Sequence, residues 1–213
     1  MEFRPAKAAF VAIDLQRGFC LPDGTLGKLG RDVSGCLAAA RRCVDMAAAA
    51  RAAGMPIVWV RISHRPDYAD AGVVYHHLSP HLKTFGSMRS DGPDVDFVPE
   101  VQAAIRPEDM VIDKIRYSAF FGTPLHTLLA ARGIDTLLVG GVTTAICVET
   151  TVRDACQHDY KTFVVRECTA DLKEAQHQAA LDVMGFGFAR VIGHNQAADA
   201  LGRDSTTFER GAS

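Results

Sequence analysis

Apolar residues along the chain fall into short runs of two alternating kinds. "AAFVAID" (8–14) is almost continuously apolar and ends on an acid, the pattern of a strand buried on both faces. Residues 33–53 are alanine-rich and helical in pattern, closed by Gly54 at a C′ position with Pro56 just beyond. "PIVWVRIS" (56–63) predicts a second strand. Residues 64 to about 98 are polar and rich in His, Pro, Gly and Asp; loops of that length in a compact domain usually serve function or partner contacts. Strand character returns in "DMVIDKI" (109–115), after which Thr123 reads as an N-cap and Pro124 as N1 of a helix ending near Gly133. "DTLLVGG" (135–141) predicts a strand, 145–158 a helix, "KTFVVREC" (161–168) a strand and 173–184 a helix. "FARVIG" (188–193) is a last strand before a short helix and a polar tail from about 202.

Strand and helix alternate about six times, which predicts an α/β fold: a parallel sheet with helices on both faces. No repeat, low-complexity tract or internal linker interrupts the pattern, so residues 1–213 are read as a single domain. In such sheets ligands bind at the carboxyl ends of the strands. That rule says where the chemistry should lie.

Composition narrows the classes. A net charge of −2, with no Lys/Arg-rich run, gives no electrostatic reason to expect a nucleic acid or an anionic membrane as partner. The first residues, "MEFRPAKAAFVAIDLQ", hold no apolar segment of signal-peptide length, and no run approaches the roughly 20 residues that span a bilayer. The six cysteines, at 20, 36, 43, 147, 156 and 168, show no CxxC spacing and read as reduced thiols of a cytoplasmic protein. Cys36 and Cys43 share one face of a predicted helix, as buried residues would.

Three polar residues stand where apolar strands end: Asp14 after "FVAI", Lys114 after "MVID", and Cys147 after "TLLVGGVTTAI". Alone, each has an ordinary reading as a cap, a solvated cation or a core thiol. Together they suggest chemistry. Cys147 falls in the first turn of a predicted helix, where exposed N–H groups and the dipole favour a thiolate. The small residues at 140, 141, 143 and 144 let the backbone turn its N–H groups toward a developing oxyanion. A carboxylate can take the thiol proton and return one to a leaving group, and an ammonium offsets the gathered charge. No histidine is placed for a papain-like Cys–His pair.

Three motifs in order, "AIDLQRGF", "DKIRYSAFFGTPL" and "GGVTTAICVETTVRDA", make the chain from about residue 8 to 193 resemble the isochorismatase-like superfamily, in particular its cysteine hydrolases. Those include nicotinamidase and the N-carbamoylsarcosine, maleamate, ureidoacrylate and biuret amidohydrolases. The resemblance implies a three-layer α/β/α fold with a six-stranded parallel sheet of order 3-2-1-4-5-6. It also implies a triad of Asp14 (proton transfer), Lys114 and Cys147 (nucleophile), and a cis peptide at Val142–Thr143. The N–H groups of Thr143 and Cys147 would form the oxyanion hole. By the same resemblance Phe19, Tyr117 and Phe120 would form an apolar wall, with Gln16 and Thr144 nearby for hydrogen bonding.

The family's metal-dependent nicotinamidases carry an Asp-x-His motif after the second strand. Here "VRISHRPD" keeps His64, but Arg61 and Ile62 occupy the region where the acid is wanted. His76, His77 and His81 have no carboxylate in register, so no metal and no other cofactor is expected. "ECTADLKEA" keeps Asp171 but has Leu172 where related amidases place a carboxylate-gripping arginine, so the substrate either lacks that carboxylate or holds it by Arg65 or Arg116. The expected function is therefore cysteine-dependent hydrolysis of a small amide, carbamoyl or ureido compound through a thioester, releasing ammonia. The alternatives are a vinyl-ether hydrolase, which needs no cysteine, a metal-dependent nicotinamidase, and a non-catalytic binding module. A flavodoxin-like binder lacks support because no Gly-rich phosphate loop is present. Family members commonly assemble as homodimers or homotetramers, and the 64–98 loop is the natural contact.

Overall fold

The computed structural model describes residues 1–209; the last residues of the predicted polar tail lie outside the described residues. The strands are β1 (Glu2–Phe3), β2 (Ala8–Ile13), β3 (Ile57–Ile62), β4 (Met110–Lys114), β5 (Thr136–Val142), β6 (Lys161–Ala170), β7 (Arg190–Ile192) and β8 (Thr206–Thr207). The helices are α1 (Arg17–Cys20), α2 (Thr25–Lys28), α3 (Ser34–Ala52), α4 (Pro99–Ala104), α5 (Leu125–Ala130), α6 (Glu149–Gln157), α7 (Glu174–Gly187) and α8 (His194–Leu201). Six strands pair in parallel in the order β4-β3-β2-β5-β6-β7.

The expected order, 3-2-1-4-5-6, counted "AAFVAID" as the first strand. The correction comes from β1, which pairs antiparallel with β8 outside the main sheet and shifts each number by one. Two residues are too short to show a hydrophobic period, so this pair had no sequence signal. It also places strand inside the expected polar tail. Phe3 anchors it, fully buried and edge-on to Phe163 at 5.3 Å.

Alternation along each strand builds two cores. Phe10, Trp59, Leu138 and Phe163 face α3, whose Cys36, Cys43 and Met46 meet them. Val11, Val60, Val139 and Val164 face the other way, toward Leu129 of α5, Val152 of α6 and Met184 of α7. Both faces of β2 and β5 are fully buried, which is why their sequences are continuous apolar runs rather than alternating ones.

Some boundaries differ from the sequence reading. Pro124 occupies the N-cap position of α5, and the Thr123 hydroxyl accepts from Leu125 N at 3.2 Å, so Thr123 still caps but the helix starts one residue later. The predicted helix at 145–158 opens with a wide turn, Thr144–Val148, before α6 begins. The 64–98 loop holds helical turns at Val74–Leu78, Pro80–Phe85 and Pro93–Val95; a bridge between His64 and Arg89 closes it on itself, and one between Gln16 and Phe97 ties it to the segment after β2. β5 passes β2 so closely at Gly141 that a Cβ there would stand 2.3 Å from Ile13 O, and Gly141 has φ 134°. Only glycine meets both demands.

Candidate active site

β2 and β5 lie at the centre of the sheet and end side by side, and the chain leaves both abruptly. Asp14 follows Ile13 with φ 55°, a left-handed conformation that Asp tolerates better than most residues. Its N–H donates to Val60 O at 2.8 Å and its C=O accepts from Gln16 N at 2.8 Å, so main-chain bonds on both sides hold the carboxylate in place. Lys114 is the last residue of β4, two strands away, and its side chain reaches back across the strand ends. Its Nζ donates to Asp14 Oδ2 at 2.7 Å and to Arg116 O at 3.0 Å. Both side chains are completely buried. Cys147 lies in the wide turn after β5, 5% exposed, and its thiol is near enough to Asp14 and Lys114 for each to act on its proton affinity. The three residues singled out at strand ends therefore converge.

Burial raises the Asp14 carboxyl above its ordinary value, against the opposing pull of Lys114 and of the nearby Cys147 and Ile62. For Lys114 burial pulls downward, but Asp14 and Cys147 outweigh it and hold the ammonium above its usual range. The pair is an ion pair whose carboxylate is a stronger base than an exposed one. Burial likewise pushes the Cys147 thiol well up, with Lys114 lowering it and Asp14 raising it. Burial beside a carboxylate works against the thiolate that a helix start favours. The carboxylate that would take the thiol proton stands beside it. Asp14 Oδ1 is buried and makes no well-formed hydrogen bond, so it keeps a free acceptor position.

The turn that carries Cys147 is clamped from behind. The Val142–Thr143 peptide is cis. The Thr143 N–H donates no hydrogen bond among the described residues, whereas its C=O accepts from Ile146 N and Val148 N. Asp171 Oδ2 accepts from Ala145 N at 2.8 Å, and Thr144 Oγ1 meets His177 Nδ1 at 2.8 Å. Thr151 accepts from Ala119 N at 3.0 Å and donates to Cys147 O at 2.7 Å, joining α6 to the segment after Lys114. In the sequence Asp171 stood out only as the neighbour of Leu172, and His177 and Thr151 did not stand out at all. A polar residue on an amphipathic helix carries no local sign of which neighbour it will meet.

A cavity of 360 Å³ opens among the segments that follow β3 and β4 and the helix that follows Cys147, without any of the three triad residues in its lining. Ile62 and His64 line it after β3, Ile115, Arg116, Tyr117 and Ser118 after Lys114, and Thr150 and Asp154 one and two turns beyond Cys147. Cys147 does not itself line it, but Tyr117 does; burial first, and Cys147 second, raise its phenol.

The expected substrate contacts divide on this geometry. Tyr117 and Arg116 line the cavity. Arg65 does not: it is exposed and held by Asp67 at 2.9 Å. Gln16 is corrected from substrate contact to scaffold, because its amide is consumed by main chain, donating to Ile62 O and Val95 O and accepting from Ile62 N. Phe120 packs in the core against Tyr160 at 5.7 Å and His158 at 5.1 Å, and its neighbour Phe121 provides the cavity wall instead. Phe19 packs against the α3-side core, and Thr144 is occupied by His177. Among the described residues, no group of three His, Cys, Asp or Glu side chains is arranged to hold a metal ion. No helix there is long and apolar enough to cross a membrane.

Parallel sheet order, buried strand-end triad and glycine-lined crossing together describe a hydrolase of α/β architecture with a cysteine at its centre. The Isochorismatase domain family model matches residues 8–196, and the chain belongs to that family as an isochorismatase-like hydrolase. It is 35% identical over 187 residues to the ureidoacrylate amidohydrolase RutB of Methylobacterium radiotolerans, covering 83% of this chain and 72% of that one. Among solved structures it is similar to a cysteine hydrolase from Pseudomonas syringae pv. phaseolicola, with TM-score 0.85, 26% identity and 94% of each chain covered. It is also similar to the N-carbamoylsarcosine amidase of Thermoplasma acidophilum, with TM-score 0.68, 25% identity, and 89% of this chain and 97% of that one covered.

Proposed function

We propose that the chain is a cysteine-dependent amidohydrolase that cleaves the C–N bond of a small amide, carbamoyl or ureido compound and releases ammonia. The observation that carries this is the convergence of a buried carboxylate, ammonium and thiol in one water-poor site. Asp14 takes the Cys147 proton as sulfur attacks the carbonyl carbon, and Lys114 keeps the charge balanced. The oxyanion is met by the N–H groups of Thr143 and Cys147. Asp14 then gives its proton to the departing amine, leaving a thioester. Water, deprotonated by the same carboxylate, attacks the thioester and frees the acid and the thiol.

The Methylobacterium amidohydrolase and the Thermoplasma amidase, as relatives, support C–N bond cleavage. The cysteine favours this reading over vinyl-ether hydrolysis, which has no use for a nucleophile. The six unpaired thiols support a reducing, cytoplasmic setting. We read the whole chain as one such domain that assembles as a homodimer or homotetramer, for which sedimentation is the direct check.

The test is an ammonia-release screen over carbamoyl, ureido and carboxamide compounds, with Cys147→Ala as the blank. Wild-type protein should release ammonia from at least one class, and the variant should fold, bind and fail to turn over. Equal turnover by the variant would overturn the mechanism.

A further inference from the structure

Much of the wall of the 360 Å³ cavity is apolar: Ile62, Val73, Val74, Ile115 and Phe121 line it, with Tyr75 alongside. Two of these apolar side chains, Val73 and Phe121, are more than half exposed at 59% and 61%, so the apolar lining continues out to the surface. Charge on the wall balances, with one cation, Arg116, and one carboxylate, Asp154. Arg116 also has two of its donor positions engaged, by Asp70 O at 2.7 Å and Ile115 O at 2.6 Å.

His64 is the polar exception within this wall. It is 2% exposed and stands edge-on to Tyr75 at 4.7 Å, yet among the described residues neither ring nitrogen has a hydrogen-bond partner. Asp70 Oδ1 lies 3.6 Å from Nδ1, beyond a good bond. A buried imidazole with two unmet nitrogens costs stability, and such a cost persists where a ligand settles it.

Resting on the amidohydrolase reading, we infer that this cavity holds the body of the substrate. The class is an uncharged carboxamide carrying an apolar ring or chain, with His64 as the residue that reads a hydrogen-bonding group on that body. The occupant is neutral because the wall is neutral, and apolar because most of the wall is. This departs from the ureido acid in the name of the Methylobacterium relative.

The experiment uses the full chain. Binding of benzamide, hexanamide, 3-hydroxybenzamide, succinamate and ureidoacrylate to Cys147→Ala is measured by calorimetry, and wild-type ammonia release is measured on the same compounds. Expected are tighter binding and higher kcat/KM for the three uncharged amides than for the two anions. In the Cys147→Ala background, Phe121→Ser should weaken all three; Phe121 is exposed, so that variant keeps its fold. His64→Leu should weaken 3-hydroxybenzamide about tenfold and benzamide less than about twofold, one hydrogen bond in affinity terms. Preference for the anions, or binding of none, would overturn the inference while Cys147-dependent release from any compound leaves the amidohydrolase reading standing. Equal effects of His64→Leu on both benzamides would remove His64 as the reader.

Discussion

His64 provides a sharp test of how burial sets both stability and pH response. The ring is buried beside Tyr75, with Asp70, Arg116 and Lys114 as the charged groups that face it. Burial lowers its pKa from 6.5 to about 4, against the opposing effect of Asp70 and with some help from Arg116 and Lys114. Above pH 6.5 His64 is neutral in both folded and unfolded chains and contributes no pH dependence. As pH falls below 6.5 the unfolded chain takes up a proton that the folded one refuses, so stability is lost down to about pH 4. At about 1.4 kcal/mol per unit of pKa, the loss is about 2 kcal/mol by about pH 5. His64→Leu removes that contribution together with the two unpaired nitrogens. The variant should equal or exceed wild type at about pH 7.5, where each unmet polar atom costs about 1–3 kcal/mol. Its advantage should then grow by about 2 kcal/mol between about pH 7.5 and pH 5. Urea unfolding of both proteins at several pH values across that range measures this, and the other titrating groups cancel in the difference. A difference that stays constant with pH would refute the reasoning, as would a variant that is less stable throughout.

The site yields further predictions. Lys114→Met leaves Asp14 buried without its cation and should cost about 3–5 kcal/mol in denaturant unfolding, besides abolishing ammonia release. Because burial holds Asp14 above the ordinary carboxylate range, kcat/KM should climb as pH rises through that elevated value, and a profile flat from about pH 4 to 7 would count against Asp14 as base. Asp171→Ala frees the Ala145 N–H and loosens the nucleophile turn, so kcat should fall about tenfold with KM nearly unchanged, Asp171→Asn recovering part of the loss. Gly141→Ala forces a methyl against Ile13 O at positive φ and should cost more than about 4 kcal/mol, visible as lost soluble protein or a lowered Tm.

Much of the fold was legible because period and punctuation are local. A continuous apolar run marked β2 as a strand buried on both faces, and Gly54 with Pro56 marked the end of α3 within two residues. The triad was legible for a related reason. In a parallel α/β sheet, residues that end apolar strands share one edge of the molecule, so Asp14, Lys114 and Cys147 could be grouped before any contact was known. The motif order supplied the rest.

Tertiary structure decided which way each side chain turned and what it met. Gln16, Phe120 and Thr144 stand within three residues of functional positions or of cavity residues, yet their side chains serve the main chain, the core and His177. Phe120 and Phe121 are identical in type and adjacent, and only the packing of Tyr160 and His158 determines which of them is core. The state of Cys147 obeys the same rule. A helix start favours a thiolate, but a pKa is set by everything within a few ångströms, and here burial raises the thiol against the pull of Lys114. Sequence alone determined the elements, their order and the edge where chemistry gathers, because those depend on spacing along the chain. Which groups are dry, paired or left unpaired depends on spacing through space, and only the folded chain contains that.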